Sequence, residues 1–167
     1  MPTPIPFIDG AKIPILGQSH QIRHVSRQGS KGPVWRDEES IFVIGQIPHI
    51  PRRIQDWIKA EARREITSRA MSAAKVLGVK IKGISLRDPR SRWGSCSTAG
   101  MLSFSWRLLL APENVLNYVV MHEVAHRIEM NHGHSFWNLV ERLAGETEPP
   151  RRWLSLHGNS LHRYGQR

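Results

Sequence analysis

Cysteine is almost missing from this 167-residue chain, which holds one, Cys96. A lone thiol closes no internal disulfide, which excludes the disulfide-stapled scaffolds of small secreted proteins and points to a reducing compartment. Long apolar runs are missing too, and without a stretch of about 18 apolar residues the sequence offers no membrane span. The opening MPTPIPFIDG lacks a charged segment followed by an apolar one, so no secretory signal is expected and the chain reads as cytoplasmic. Acidic residues are scarce: 14 Asp and Glu stand against 24 Lys and Arg, a formal charge of +10. Such a balance favours acidic partners, whether nucleic acid, anionic membrane or acidic polypeptide. The cations are spread along the chain, with small knots at Arg52-Arg53, Arg63-Arg64 and Arg151-Arg152. A solvated basic surface explains them, and charge alone assigns no function.

What is present suffices for a core. Six Trp and a 40% apolar fraction argue against disorder. The length fits one domain, with or without a small appended subdomain, and needs no staple. No internal repeat or low-complexity tract interrupts it.

The first fifty residues are short apolar pieces broken by turn residues. Ile5–Ile8 meets Asp9-Gly10, Ile13–Leu16 meets Gly17, and Gly29–Pro33 separates further pieces from Ile41–Ile44. This predicts a small β-meander, with Pro48 and Pro51 marking a boundary between a β-rich subdomain, 1–50, and the main domain, 51–167. From Arg52 to Leu77 the period becomes helical: Ile54, Trp57, Ile58, Ala62, Ile66 and Ala70 recur at three and four residues, and Gly78 supplies a stop. Val79–Leu86 reads as a strand ending at Asp88-Pro89.

Trp93–Ser97 and Met101–Leu110 then flank the turn residues Thr98-Ala99-Gly100, a hairpin. In its second arm Leu102, Phe104, Trp106 and Leu108 face one way, and Ser103, Ser105 and Arg107 the other. Pro112-Glu113 suits a helix first turn. The helix that follows carries Val115, Val119, His122 and His126 on one stripe and Leu116, Val120 and Val124 on another, so it should be buried. Phe136–Leu143 and Arg151–Leu156 read as two further short helices. The class is α+β.

Two imidazoles continuing an apolar stripe need a reason. They belong to the run His122-Glu123-Val124-Ala125-His126. Residues four apart share a helix face, so both rings can reach one ion at about 2.0–2.1 Å. Glu123 sits about 100° round the helix, placed to take a proton from water without displacing a ligand. By composition the pattern arises by chance in about 3% of such chains, so a third ligand must support it. Catalytic zinc takes three protein groups and keeps one position open.

The candidates are His132, His134 and Glu141, with His132 favoured by its spacing of six from His126. On a continued helix His132 would lie about 240° away and about 9 Å further on, so the helix must break. Asn131 and Gly133, which tolerate left-handed backbone, flank it. The same spacing occurs in metzincins, but their Gly is Glu129 here, which makes that assignment poor. Cys96 lacks the histidine spacing of a nucleophile. Arg92, His134, His157 and Tyr164 are candidates for stabilising an oxyanion, and Trp93–Ser97, if an exposed edge, could pair with a peptide.

The segments Ser91-Arg-Trp-Gly-Ser-Cys-Ser97, Trp106-Arg-Leu, Tyr118-Val-Val-Met-His-Glu-Val-Ala-His126 and Asn131-His-Gly-His-Ser-Phe-Trp137 resemble the YgjP-like metallopeptidases, a family similar to SprT-like and WLM zinc proteases. The resemblance is strong from Arg87 to Trp153 and loose over the first fifty residues. It departs in detail at Met121, Val124 and Gly133-His134. It implies that His122, His126 and His132 hold Zn2+, that Glu123 is the general base, and that the substrate is a polypeptide. It also implies a minimal zincin-like unit, a small antiparallel sheet or hairpin packed on the zinc-binding helix. Phe136 and Trp137 would anchor the helix after His132. The alternative is a zinc-stabilised, non-catalytic module that binds protein, or nucleic acid through the basic surface. A structural site needs no base and usually has four protein ligands, so the intact Glu123 speaks for a hydrolase.

Overall fold

One long helix is the axis on which everything else packs. The computed structural model describes residues 3–26 and 32–166, and in it α1 runs Ile50–Leu77. Pro51 stands in its first turn, where a missing N–H costs little, and Gly78 ends it in left-handed backbone at φ 68. Ile54, Ile58, Ala62, Ile66 and Ala70, each four residues after the last, are fully buried. That stripe is the seam between two sheets and the remaining helices.

The amino-terminal sheet comprises β1 (Lys12–Ile15), β2 (Gln18–His24), β3 (Val34–Arg36) and β4 (Ser40–Val43), in the order β1-β2-β4-β3. A two-residue turn at Leu16-Gly17, with φ of 50 and 80, joins β1 to antiparallel β2. Turns of this hand match the strand twist. The sheet departs from an up-and-down meander in its second half, where β4 runs parallel to β2 and antiparallel to β3. Asp37 closes the turn between β3 and β4. Its Oδ1 accepts the N–H groups of Glu39 and Ser40 at 2.9 and 2.8 Å, tightening a β3–β4 hairpin whose returning arm lies beside β2. The predicted Gly29–Pro33 turn lies mostly outside the described residues.

The second sheet holds β5 (Gly83–Arg87), β6 (Gly94–Cys96) and β7 (Met101–Ser105) in the order β5-β7-β6. The hairpin β6–β7 is antiparallel as expected, and β5 adds in parallel to β7. Gly100 turns at φ 92, and Ser97 Oγ accepts the Met101 N–H at 3.0 Å.

The alternation of the second arm stops early. Leu102 and Phe104 are buried as predicted, but the chain leaves the sheet after Ser105, whose Oγ accepts the Arg107 N–H and starts a 3-10 turn over Trp106–Leu110. Arg107, expected on the outer face, is therefore interior and 0% exposed. Its guanidinium donates to both Asp88 oxygens, at 2.7 and 3.0 Å, and to the carbonyls of Leu161 and Tyr164. It also stacks 4.4 Å from the Trp106 ring centre. A buried cation persists only when paired this fully.

Three further helices follow: α2 (Glu113–Ala125), α3 (His134–Ala144) and α4 (Glu148–His157). α2 buries residues on nearly every side, among them Val115, Leu116, Val119, Val120 and Val124, because α1, α3, α4 and β6 all touch it. The two ends of the chain meet: Ile5 donates to the Arg163 carbonyl at 2.8 Å and accepts from Gly165 at 3.0 Å. The architecture is mixed α+β, as the sequence predicts. Among the described residues no helix is long and apolar enough to cross a membrane.

Candidate metal centre

The metal candidates come from the end of α2 and the loop beyond it. His122 lies on the last turn of α2 and His126 is its C-cap residue. The helix stops there through tight backbone turns, Arg127 N–H to Val124 O at 2.9 Å and Ile128 N–H to Ala125 O at 3.0 Å. Left-handed residues play no part. Gly133 has φ −86, and Asn131 is not among the residues of positive φ. Nor is Glu129, so the turn has no need of the glycine that metzincins place there. The loop then returns His132 to the face from which it would have rotated away on a continuous helix.

The result is that His122, His126 and His132 bring one nitrogen each to within 4.8 Å of one another. The Nε2 atoms of His126 and His132 lie 3.1 Å apart. Two nitrogens bound tetrahedrally at 2.0–2.1 Å would be about 3.3–3.4 Å apart, so this edge already has the size a zinc-like ion requires. The tautomers suit the task as well. His126 Nδ1–H donates to the Glu129 carbonyl at 2.9 Å, which leaves the Nε2 lone pair facing the cluster. Burial and the two neighbouring imidazoles hold His132 below the usual histidine pKa, in the neutral form that binds metal. Three imidazole nitrogens converging on one point, with His132 held neutral, fit a divalent ion. His134 and Glu141 are exposed and stand outside the cluster.

Glu123 is 6% exposed, a burial that demands a partner, and its Oε2 accepts from His122 Nδ1 at 3.0 Å. Space for this carboxylate is made by Gly94 on β6. A Cβ there would lie 3.0 Å from Glu123 Cγ, 3.1 Å from Phe104 Cδ1 and 3.2 Å from Val119 Cγ1. At Cys96, two residues on, burial, and next the Glu123 carboxylate, push the thiol above its ordinary pKa, which disfavours the reactive thiolate.

The aromatic floor goes beyond what the sequence predicts for Phe136 and Trp137. Phe136 touches all three imidazoles, stacking on His126 at 4.4 Å and meeting His122 and His132 edge-on at 4.9 Å each. Trp137 lies 5.8 Å from His122 and 6.2 Å from His132, with the Arg151 guanidinium 4.5 Å over its ring. Tyr118, one turn before His122, packs against that ring at 5.8 Å. Burial raises its phenol pKa, a shift that the Arg151 charge opposes and the Glu123 charge reinforces.

Of the residues considered for an oxyanion, His157 and Tyr164 line a cavity of 280 Å³ with Pro14, Leu110 and Trp153, away from the imidazoles. Arg92 and His134 are exposed and join none of the ring contacts above. Gly94, Tyr118 and Arg151 went unread in the sequence as site residues. Only Tyr118 carried a signal, its four-residue spacing from His122.

Two solved structures share part of this fold. The metallopeptidase zymogen abylysin of Pyrococcus abyssi is 21% identical, with 60% of this chain and 99% of abylysin aligned at a TM-score of 0.48. The metallopeptidase zymogen jannalysin of Methanocaldococcus jannaschii is also 21% identical, with 57% and 96% aligned at 0.47. No curated protein sequence matches significantly. The family model described as "YgjP-like, metallopeptidase domain" matches residues 1–157, which takes in both sheets, the three histidines and Glu123, and the chain belongs to that family.

Proposed function

We propose that this protein is a zinc-dependent peptidase in which His122, His126 and His132 hold the ion and Glu123 is the general base. The observation that carries this reading is the convergence of three imidazole nitrogens beside a buried carboxylate. When bound, zinc supplies Lewis acidity that polarises a peptide carbonyl and lowers the pKa of water toward about 7. The rest is the work of the chain. Oε2 of Glu123 is held by His122, which leaves Oε1 to accept a proton from the attacking water and to pass it to the departing amine. Burial against Gly94 and Val119 keeps this carboxylate from swinging away. Phe136 packs behind the imidazoles and limits their rotation.

A polypeptide substrate fits the edge at β6. Trp93 and Ser97 direct backbone groups to β7, bonding Ser105 and Met101 at 2.9 Å each. By the two-residue alternation of a strand, Gly94 and Cys96 turn theirs outward, and no other strand of the described residues pairs with them. A peptide added there pairs with Gly94, the residue that packs against Glu123.

Glu123→Gln tests the assignment. Hydrolysis of a peptide library should fall by about 10²–10⁴-fold while zinc stoichiometry is unchanged. A variant that cleaves as fast as the unmodified protein refutes the base. X-ray absorption that finds four protein ligands on the ion favours the non-catalytic module instead.

A further inference from the structure

Arg151 is a charge without a counter-charge at the mouth of the site. It stands in the first part of α4, exposed, and among the described residues no carboxylate pairs with it. Its neighbour Arg152 differs, being paired with Glu148 at 2.9 Å. Arg151 is nevertheless held in place, its guanidinium 4.5 Å over the face of Trp137. An arginine stacked on an indole keeps its in-plane N–H donors free. Trp137 in turn packs at 5.8 Å on His122 and 6.2 Å on His132. One indole thus separates a fixed cation from the metal ligands, a distance that extended peptide covers in two or three residues at about 3.3 Å each.

We propose that Arg151 sets the specificity of this site by taking a carboxylate of the polypeptide substrate within two or three residues of the scissile bond. The carboxylate is an Asp or Glu side chain or the substrate's own terminus. The inference rests on the peptidase reading and adds a substrate class to it. Planar guanidinium pairs with carboxylate through two parallel hydrogen bonds, which neither an amide nor a neutral side chain can match. The +10 chain steers acidic polypeptides to the surface, and Arg151 selects among them at the site.

The test uses zinc-loaded Glu123→Gln protein, immobilised, with peptides that differ only in charge: Glu with an amidated end, Gln with an amidated end, and Gln with a free carboxylate, in a randomised background. Bound peptides are read by mass spectrometry. Carboxylate-bearing peptides should be retained about five- to twentyfold over their amide counterparts, a range set for a charge-assisted pair partly screened by solvent. Retention of the first form assigns the side chain, and of the third the terminus. Adding Arg151→Gln should erase the preference and Arg151→Glu should shift it to Lys and Arg. Arg152→Gln should leave it intact. Equal retention of all three peptides overturns the proposal, as does an Arg152→Gln loss equal to that of Arg151→Gln. Cleavage by the unmodified protein without carboxylate preference sinks this inference alone, whereas no cleavage and no peptide binding sinks the peptidase reading with it.

Discussion

Replacing Arg107 with Leu removes the most densely bonded side chain in the interior. The substitution keeps an apolar side chain against Trp106 but deletes two bonds to Asp88 and one each to the carbonyls of Leu161 and Tyr164. Breaking a buried ion pair from one side costs about 3–5 kcal/mol, because the remaining charge loses its opposite. Asp88 is 20% exposed, so water recovers some of its solvation and the lower half of that range applies. At about 2–4 °C per kcal/mol for a chain of this size, the melting temperature should fall by about 6–16 °C.

Urea unfolding of the metal-free protein measures the loss, and a cycle with Asp88→Asn isolates the pair, with a coupling above about 1 kcal/mol expected. A loss below about 1 kcal/mol, or a coupling near zero, refutes the view that this network closes the fold. The variant should also act at a distance. Arg107 fixes the segment at Leu161–Tyr164, whose His162 stacks at 5.2 Å on Trp93, the residue before β6. Peptidase activity should therefore drop by more than the unfolded fraction explains.

Gly94→Ala puts a methyl group 3.0 Å from Glu123 Cγ. Displacement of the base by a fraction of an ångström should lower kcat by about 10–100-fold while zinc affinity, measured by chelator competition, stays within about threefold; full activity would show that this contact is slack. Phe136→Leu removes a ring that touches three imidazoles. Zinc affinity should weaken by about 10–100-fold, the usual effect of losing an orienting neighbour, and an unchanged affinity counts against the aromatic floor. Zinc at about 100 times its Kd should stabilise the fold by about 2.7 kcal/mol, seen as a rise of about 5–11 °C in Tm that chelation reverses. His132→Ala should melt at one temperature with or without zinc, and a persistent shift would put the ion elsewhere.

Features written in local periodicity were legible in the sequence. α1 and α2 follow from apolar spacing, and the cluster of His122, His126 and His132 from a four-residue repeat plus the need to break the helix. The means of breaking it was not legible, because Asn131 and Gly133 suggest left-handed backbone whereas the chain uses tight turns closed on Ala125. Non-local facts were hidden for a different reason. The parallel pairing of β2 with β4 joins strands separated by β3 in the chain, which no local pattern announces. Arg107 breaks the alternation that would place it outside, since Asp88 and two carbonyls near the chain's end compensate its charge. Arg151 and Gly94 gain meaning only from Trp137 and Glu123, residues well separated from them in sequence.

For a chain of charge +10 to gather a dication, as proposed, it has to overcome its own repulsion, and the two scales separate. Exposed charges more than about 10 Å apart are largely screened at 0.1 M salt, so most of the 24 cationic side chains are silent at the imidazoles. What remains is local. α2 ends at Ala125, directly before His126, and its terminal carbonyls carry roughly half a negative charge toward that end. Buried beside His122, the Glu123 carboxylate adds a full one in a medium where it is poorly screened. On the proposed reading these two negative sources would lie behind the ligands of a bound ion, while Arg151 is kept one indole away. If the proposed function holds, the same arrangement serves both partners: the negative interior favours the metal, and the positive exterior favours an acidic polypeptide.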